Sequence, residues 1–267
     1  MKLRPPPLIA LVGTALLGAV TGLLVAGPAH AAGAIGYVAL GDSYSSGVGA
    51  GGYDSSGCSR SSRSYPALWA ASHTVTSFTF VACGGATTDD VLNKQIGALN
   101  AATTLVTITI GGNDAGFVAV VTTCLLGTDG ACTIAVGAAK AYATQVLPAK
   151  LDRTFAAIRS HAPNARVVVL GYPRLFELPA SCGLLGMDLA KRQTLDGGAD
   201  GLDSVIAARA GAAGDTFVDA RPAFAGHGIC AGQSWINSTT WPIGDSYHPT
   251  STGYQSGYLP ALDRVTG

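Results

Sequence analysis

Charged side chains are scarce in this sequence, and neither sign is in excess. Only 12% of the 267 residues are Asp, Glu, Lys or Arg, and 16 basic side chains face 16 acidic ones. Such a balance provides no basic surface for nucleic acid or for an anionic membrane, so we expect no nucleic-acid partner. Disorder is also excluded, because 48% of the residues are hydrophobic.

Two motifs of common protein classes are missing. The sequence has no C-x-x-C pair and no histidine at a matching distance, which argues against a structural zinc site. No G-x-S-x-G motif surrounds Ser43, the serine of the run Leu40-Gly41-Asp42-Ser43, which argues against the nucleophile elbow of an α/β-hydrolase. We therefore expect no metal.

The N-terminal segment has the parts of a secretory signal peptide. Lys2 and Arg4 precede an apolar run over residues 8–26, and Ala29-His30-Ala31 supplies small residues for cleavage. The alternative is a membrane anchor, since the run is long enough to span a bilayer. We predict a signal peptide over residues 1–31, a secreted, extracellular protein and no stable membrane insertion after cleavage. The remaining residues, 32–267, number 267 − 31 = 236, which suits a single domain.

All six cysteines lie in this mature part. An even number of cysteines in an exported chain favours disulfides over free thiols. Many pairings are open to six cysteines. Proximity along the chain favours Cys124–Cys132 as a small loop, with Cys58–Cys83 and Cys182–Cys230 as the preferred remaining pairs.

Strand-like and helical stretches alternate along the mature chain. This alternation predicts an α/β protein, a three-layer α/β/α sandwich with a mostly parallel central sheet. The short apolar or β-branched runs are 36–40, 78–81, 105–110, 166–170 and 216–218. The helical stretches are 65–72, 88–99, 133–160 (interrupted by Pro148), 189–210 and 250–265.

Polar or glycine-rich turns follow the first three predicted strands. Ser43 comes after the first, Gly84-Gly85 after the second and Asn113 after the third. Ligands of open α/β sheets bind beyond the carboxyl ends of the strands, so we expect these residues to meet at one edge.

Ser43 and His248 are the candidate nucleophile and base. A serine hydroxyl attacks poorly until a base takes its proton. Asp245 lies three residues before His248, close enough to hold the imidazole tautomer. The alternatives are a helix-capping role for Ser43 and an ordinary surface turn around His248.

Candidate donors to a tetrahedral oxyanion are the amides of Ser43 and Gly85 and the side-chain amide of Asn113. The alternative is that the glycine pairs at 84–85 and 111–112 only permit tight turns.

Four short blocks in fixed order resemble the SGNH (GDSL-type) hydrolases. They are Gly-Asp-Ser at 41–43, Cys-Gly-Gly-Ala at 83–86, Gly-Gly-Asn-Asp at 111–114 and Asp-Ser-Tyr-His-Pro at 245–249. The resemblance covers the mature length, and the six cysteines look like those of secreted actinomycete (Streptomyces-type) lipases and phospholipases. It implies a flavodoxin-like fold and catalysis by Ser43, Gly85, Asn113 and His248.

The sequence departs from the family pattern at two points. Gly84 stands where many members have serine, which matters little because the donor that follows is a backbone amide. Some relatives support the histidine with a main-chain carbonyl two residues earlier, which is Ser246 here. We prefer Asp245 for this support, and the Ser246 carbonyl is the alternative.

The resemblance implies a secreted esterase or lipase for medium to long acyl chains on acylglycerols, simple esters and phospholipids. Such chemistry needs no cofactor, and we expect a monomer with a small-molecule or lipid ester as partner. Phe117, Val118 and Val120 follow the Asn113 turn and either line an acyl groove or pack in the core. The same blocks also serve carbohydrate O-acetylesterases. A third reading is a non-catalytic binding protein on this scaffold.

Overall fold

The computed structural model of the chain describes residues 1–5, 7, 35–183 and 186–267. Nearly all of the predicted signal peptide, residues 1–31, lies outside the described residues, and its cleavage stays a prediction. The chain divides into the units Met1–Gly33 and Ala34–Gly267, and the second unit carries all the elements below. In the described part of the chain, no helix has both the length and the apolar character needed to cross a membrane.

A five-stranded parallel sheet forms the centre of the second unit. Its spatial order is β2-β1-β3-β4-β5, so the winding direction reverses between β1 and β3. This is the flavodoxin-like order, in which ligands bind at the point of reversal. The predicted α/β sandwich is confirmed. The strands are β1 (Ile35–Gly41), β2 (Val75–Phe80), β3 (Leu105–Thr109), β4 (Arg166–Leu170) and β5 (Thr216–Val218).

Helices cover both faces of the sheet. Every residue of β3 and all but the first of β1 are buried, which a parallel sheet achieves only when both faces are covered. Two helix groups form: α2 packs on α9, while α4, α5, α6 and α7 pack on one another. The helices are α1 (Ser43–Ser46), α2 (Tyr65–Ser72), α3 (Thr88–Asp90), α4 (Phe117–Leu126), α5 (Asp129–Gln145), α6 (Leu147–His161), α7 (Leu189–Ala212), α8 (Arg221–Phe224) and α9 (Leu259–Thr266).

The helical stretch over 133–160, which Pro148 is expected to divide into two helices or to kink, forms two helices. Thr128 caps α5, because its side chain accepts a hydrogen bond from the Ala131 amide, so this helix starts earlier than expected. Pro148 lies in the first turn of α6, where its missing N–H costs no hydrogen bond.

Three segments differ from the sequence-based expectation. Helix α4 was not expected, and it begins after Gly116, whose φ of 80° permits the sharp entry from the preceding turn. The stretch after α3 continues as a π-helical turn over Val91–Gln95 and a 3₁₀ turn over Ile96–Ala98. A π-helical turn over Gly253–Tyr258 likewise precedes α9.

Three disulfides join the cysteines in the pairs preferred above. They are Cys58–Cys83, Cys124–Cys132 and Cys182–Cys230.

Candidate active site

The end of β1 presents Ser43 at the carboxyl edge of the sheet. Gly41 adopts a φ of 120°, and a Cβ there would lie 2.5 Å from the Thr109 carbonyl oxygen. Asp42 is the N-cap of α1, because its carboxylate accepts a hydrogen bond from the Tyr44 amide at 2.9 Å. The capping role considered for Ser43 therefore belongs to Asp42, and the Ser43 hydroxyl is free for another partner.

That partner is His248, which comes from the other end of the chain. The imidazole Nε2 lies 2.8 Å from the Ser43 Oγ, and the imidazole Nδ1 lies 2.9 Å from the Ser246 carbonyl oxygen. A carbonyl oxygen can only accept, so Nδ1 carries the proton and Nε2 offers its lone pair to the serine hydroxyl. This tautomer is the one that a general base needs.

The Asp245 carboxylate does not hold the imidazole, contrary to the preference stated above. It accepts a hydrogen bond of 2.6 Å from the Tyr53 hydroxyl, which in turn accepts one of 2.8 Å from the Gly49 amide. A 3₁₀ turn ends at Asp245, and Tyr247 then adopts a φ of 61°. The chain turns there so that the Ser246 carbonyl, rather than the Asp245 side chain, contacts the ring.

Burial keeps the His248 imidazole neutral. Loss of solvent lowers its pKa from 6.5 to about 4, and this effect outweighs the hydrogen bond to Ser246 and the charge of Asp245, both of which raise the pKa. The ring is therefore ready to accept a proton at neutral pH.

Two candidate oxyanion donors, the Gly85 amide and the Asn113 side-chain amide, line the same cleft as Ser43. Gly85 adopts a φ of 80° and is exposed, and no described residue accepts a hydrogen bond from its amide. The preceding Gly84 amide is fixed by the Cys58 carbonyl at 2.9 Å, beside the Cys58–Cys83 disulfide. Asn113 donates one amide hydrogen to the Ala86 carbonyl at 3.0 Å, which leaves the other hydrogen available.

Ser43, Gly85, Asn113 and His248 line one cleft of about 480 Å³. The structure thus brings together Ser43, Gly85 and Asn113, which the sequence placed at one sheet edge, and adds His248 from the C-terminal part of the chain. Phe117 and Val118 of α4 form an apolar wall of this cleft, and Asp245 also lines it.

Sequence reasoning missed the contacts that hold these turns together. The Tyr172 hydroxyl, just after β4, donates to the Asp42 carboxylate at 2.5 Å and accepts from the Gly112 amide at 2.9 Å. The turns that carry Ser43 and Asn113 are thereby joined through one side chain. The only available signal was the position of Tyr172 in the Gly-Tyr-Pro turn that ends a strand.

A second fixing contact lies beside Asn113. The Asp114 carboxylate accepts from the Thr88 amide at 2.9 Å and from the Thr88 hydroxyl at 2.6 Å, which ties the Asn113 turn to α3. Nothing in the sequence distinguishes this carboxylate from a solvated one.

Residues 39–256 match the model of the GDSL-like lipase/acylhydrolase family. The chain belongs to this family. It is 54% identical over 232 residues to a lipase of Streptomyces rimosus, a match that covers 86% of each chain. It is 49% identical over 259 residues to lipase 1 of Streptomyces coelicolor, covering 96% of this chain and 94% of that one.

Two solved structures have the same fold at high identity. The extracellular lipase of Streptomyces rimosus superposes with a TM-score of 0.85 at 53% identity, covering 87% of this chain and 100% of that one. Phospholipase A1 of Streptomyces albidoflavus superposes with a TM-score of 0.84 at 53% identity, covering 86% and 99%. Family membership and these relatives identify this chain as an ester hydrolase of the lipase type.

Proposed function

We propose that this chain is a secreted serine lipase and esterase that works through an acyl-serine intermediate. The observation that carries the proposal is the continuous hydrogen-bonded chain from the Ser43 hydroxyl through His248 to the Ser246 carbonyl. In this chain a main-chain carbonyl oxygen, rather than a carboxylate, holds the imidazole that faces the serine. Ser43 is thus the nucleophile and His248 the general base.

The reaction proceeds in two acyl-transfer steps. His248 takes the Ser43 proton as the oxygen attacks the ester carbonyl, and the Ser43 amide, Gly85 amide and Asn113 side chain stabilise the oxyanion. The protonated imidazole gives its proton to the leaving alcohol. Water then attacks the acyl-serine with the same base, which releases the acid and restores Ser43.

The favoured substrates are esters of medium to long acyl chains on acylglycerols, simple alcohols and phospholipids. Phe117 and Val118 in the cleft wall favour an apolar acyl group over an acetylated sugar. The similarity to a phospholipase A1 and to lipases supports the same substrate class. We propose that the carbohydrate O-acetylesterase reading is the weaker one.

Secretion and the cleavage after Ala31 belong to the same proposal. Three disulfides favour an oxidising compartment, and an extracellular lipase is among the similar structures. We expect the mature enzyme, residues 32–267, to act as a monomer.

Hydrolysis of p-nitrophenyl esters from acetate to palmitate by the mature enzyme and by Ser43→Ala tests the proposal. We expect activity that peaks at medium or long chains and disappears in the variant. Activity confined to acetate would instead support the acetylesterase. A serine-directed phosphonate should label the wild type once and leave Ser43→Ala unlabelled; labelling elsewhere would contradict the assigned nucleophile.

A further inference from the structure

Large apolar side chains stand exposed at the mouth of the catalytic cleft. Trp241 is 87% exposed, Val118 66% and Ile243 62%. Val118 lines the cleft from α4, whereas Trp241 and Ile243 flank Pro242, which lines it from the loop before His248. Single exposed apolar residues are common on soluble proteins, but three of them around one opening form a patch. Such a patch marks a surface that meets an apolar partner.

Hydrogen bonds hold the backbone on both sides of the exposed indole. The Thr240 amide donates to the Ser246 hydroxyl at 2.9 Å, and the Asp245 amide donates to the Pro242 carbonyl at 2.9 Å. Trp241 itself makes no hydrogen bond and no ring contact with any described residue. A fixed turn therefore presents the indole to the surroundings, and its N–H is available to a polar partner.

The two chain segments that carry these side chains have no charge. Residues 115–128 and residues 228–244 contain no Asp, Glu, Lys or Arg. Among the described residues that line the cleft, Asp245 is the one with a charged side chain, and it is acidic. An anionic surface is attracted by clustered basic residues, which these segments lack. The charge pattern therefore fits a neutral or zwitterionic partner.

An uncharged lipid surface is a partner with this chemistry. Tryptophan is enriched at the boundary between lipid and water, because its ring is apolar and its N–H is polar. Long-chain acylglycerols and phospholipids aggregate in water, since their alkyl chains leave the solvent. A substrate of this class therefore meets the enzyme as a surface, and the ester reaches Ser43 through the mouth of the cleft.

We propose that Val118, Trp241 and Ile243, called here the docking rim, bind the surface of a neutral or zwitterionic lipid aggregate and hold the mouth of the cleft against it. The inference rests on the proposed function and deepens it by naming the form in which the substrate is met. Trp241 and Ile243 contribute affinity for the surface and take no part in the chemistry at Ser43. Soluble esters therefore do not need them.

Binding of the mature protein to phosphatidylcholine vesicles tests the docking rim. Ser43→Ala serves as the background, so that the lipid is not consumed. We expect Trp241→Ser to weaken vesicle binding by about 10–50-fold and Ile243→Ser by about 5–20-fold, because each removes apolar area that leaves water on docking. Trp241→Phe keeps most of that area and should weaken binding by less than about fivefold.

Ile134→Ser is the matched control. It makes the same change as Ile243→Ser at a position that is 75% exposed on α5 and does not line the cleft. We expect this variant to bind vesicles as the background does. Equal binding by the background and by both rim variants would overturn the docking rim, and so would an equal loss in Ile134→Ser. Binding that requires phosphatidylglycerol and is abolished by salt would overturn it as well.

The fluorescence of Trp241 gives a second readout. Trp69 is only 1% exposed and Trp235 stacks on His227, so Trp241 is the indole most open to its surroundings. We expect the emission of the Ser43→Ala protein to move to shorter wavelength when phosphatidylcholine vesicles are added, and brominated phosphatidylcholine to quench it. Vesicle binding that leaves the Trp241 emission unchanged would overturn the proposal.

Activity separates the docking rim from the proposed function. With Ser43 restored, kcat/KM of Trp241→Ser and Ile243→Ser for soluble p-nitrophenyl butyrate should stay within about twofold of the wild type, while hydrolysis of phosphatidylcholine vesicles falls in parallel with binding. Vesicle hydrolysis at the wild-type rate in both variants would overturn the rim and leave the proposed function intact. If the wild type showed no Ser43-dependent hydrolysis of butyrate, the proposed function itself would fail. Self-association of the wild type that Trp241→Ser abolishes would make the rim a contact between two copies of this chain and overturn the lipid surface as its partner.

Discussion

Two clefts of nearly equal volume lie on this protein, and their chemistry differs. The catalytic cleft measures about 480 Å³ and the second about 470 Å³. In the catalytic cleft the central groups are neutral: a serine hydroxyl bonded to an uncharged imidazole, and an exposed glycine amide. The second cleft is lined by charged groups, among them Arg174, Asp196, Asp200 and Arg221.

The two arginines of the second cleft are paired with carboxylates. Arg174 binds Asp200 through two nitrogens, and Arg221 bridges Asp219 and Asp200 with contacts of 2.8 to 3.0 Å. Asp196 accepts hydrogen bonds from two backbone amides of the turn after β4. Groups that are already paired have little capacity left for a substrate. Available hydrogen-bond donors and a neutral imidazole, rather than a high density of charge, distinguish the cleft in which we place the reaction.

Removing the proposed base, His248, should give the largest loss of activity. A substitution in the second cleft should leave the activity nearly unchanged. We expect His248→Ala to lower kcat by about 10⁵–10⁶-fold, since nucleophile and base act as one unit. Arg174→Ala breaks an ion pair in the second cleft and should leave kcat/KM within about threefold, because an exposed pair contributes little. Comparable losses in the two variants, with p-nitrophenyl butyrate as substrate, would mean that the second cleft also takes part in the reaction.

Removing one oxyanion donor should give the next largest effect. Asn113→Ala deletes the side-chain amide that faces the cleft, and we expect kcat to fall by about 10²–10³-fold with little change in KM. The Ala86 carbonyl also loses its partner, so the melting temperature must be measured alongside. A variant that keeps its kcat would remove Asn113 from the oxyanion site.

The low pKa of His248 should appear in the dependence of kcat/KM on pH. The imidazole stays neutral until pH about 4, so we expect the acid limb of kcat/KM near that value. For a histidine of ordinary pKa, only about one molecule in thirty would carry a neutral imidazole at pH 5. An acid limb near pH 6.5 would show that the ring is hydrated in solution.

A buried carboxylate near the second cleft, Asp203, which lies 3.6 Å from Arg221, should make stability depend on pH in the opposite sense to His248. Burial raises the pKa of Asp203 from 3.8 to about 7, so the folded state binds its proton more tightly than the unfolded state. Stability from this group is present below pH about 4 and is lost as the pH rises through 7, up to about 4 kcal/mol in total. His248, with a lowered pKa, contributes stability above pH 6.5 that is lost as the pH falls toward 4.

Asp203→Asn isolates this contribution. The amide oxygen can still accept the 2.9 Å hydrogen bond from the Tyr172 amide, but the group no longer titrates. We expect urea unfolding of the variant to depend less on pH between 4 and 8 than that of the wild type. The raised pKa values of Asp42 and Asp196 act in the same direction in both proteins and cancel in the difference. If the stability of the two proteins depended on pH in the same way, the contribution could not be assigned to Asp203.

Much of the fold and site follows from local sequence. Short apolar or β-branched runs identified the strands, and the order of those runs placed Ser43, Gly85 and Asn113 at one edge. The helix α4 was missed because it is entered through Gly116 and its sequence, rich in Val and Thr, does not favour a helix on its own. The bond between Tyr172 and Asp42 joins residues 130 positions apart. Only the folded chain reveals such a pair.

The hydrogen-bond partner of His248 is likewise not predictable from the sequence. The sequence contains both candidates, Asp245 and the Ser246 carbonyl, one position apart. The backbone conformation decides between them, since Tyr247 adopts a positive φ that is not expected from its side chain. The residue types alone favoured the Asp245 carboxylate as the partner of the imidazole.

Replacing Asp245 should therefore have only a small effect on kcat/KM. Asp245→Asn removes the negative charge but keeps an oxygen that accepts the Tyr53 hydrogen bond. We expect kcat/KM at pH 7 to change by less than about fivefold, since only a charge that does not contact the imidazole is lost. The acid limb should move slightly downward, because the charge of Asp245 raises the pKa of His248. A loss near 10⁴-fold, as found when a triad carboxylate is removed, would return the supporting role to Asp245 and displace the Ser246 carbonyl.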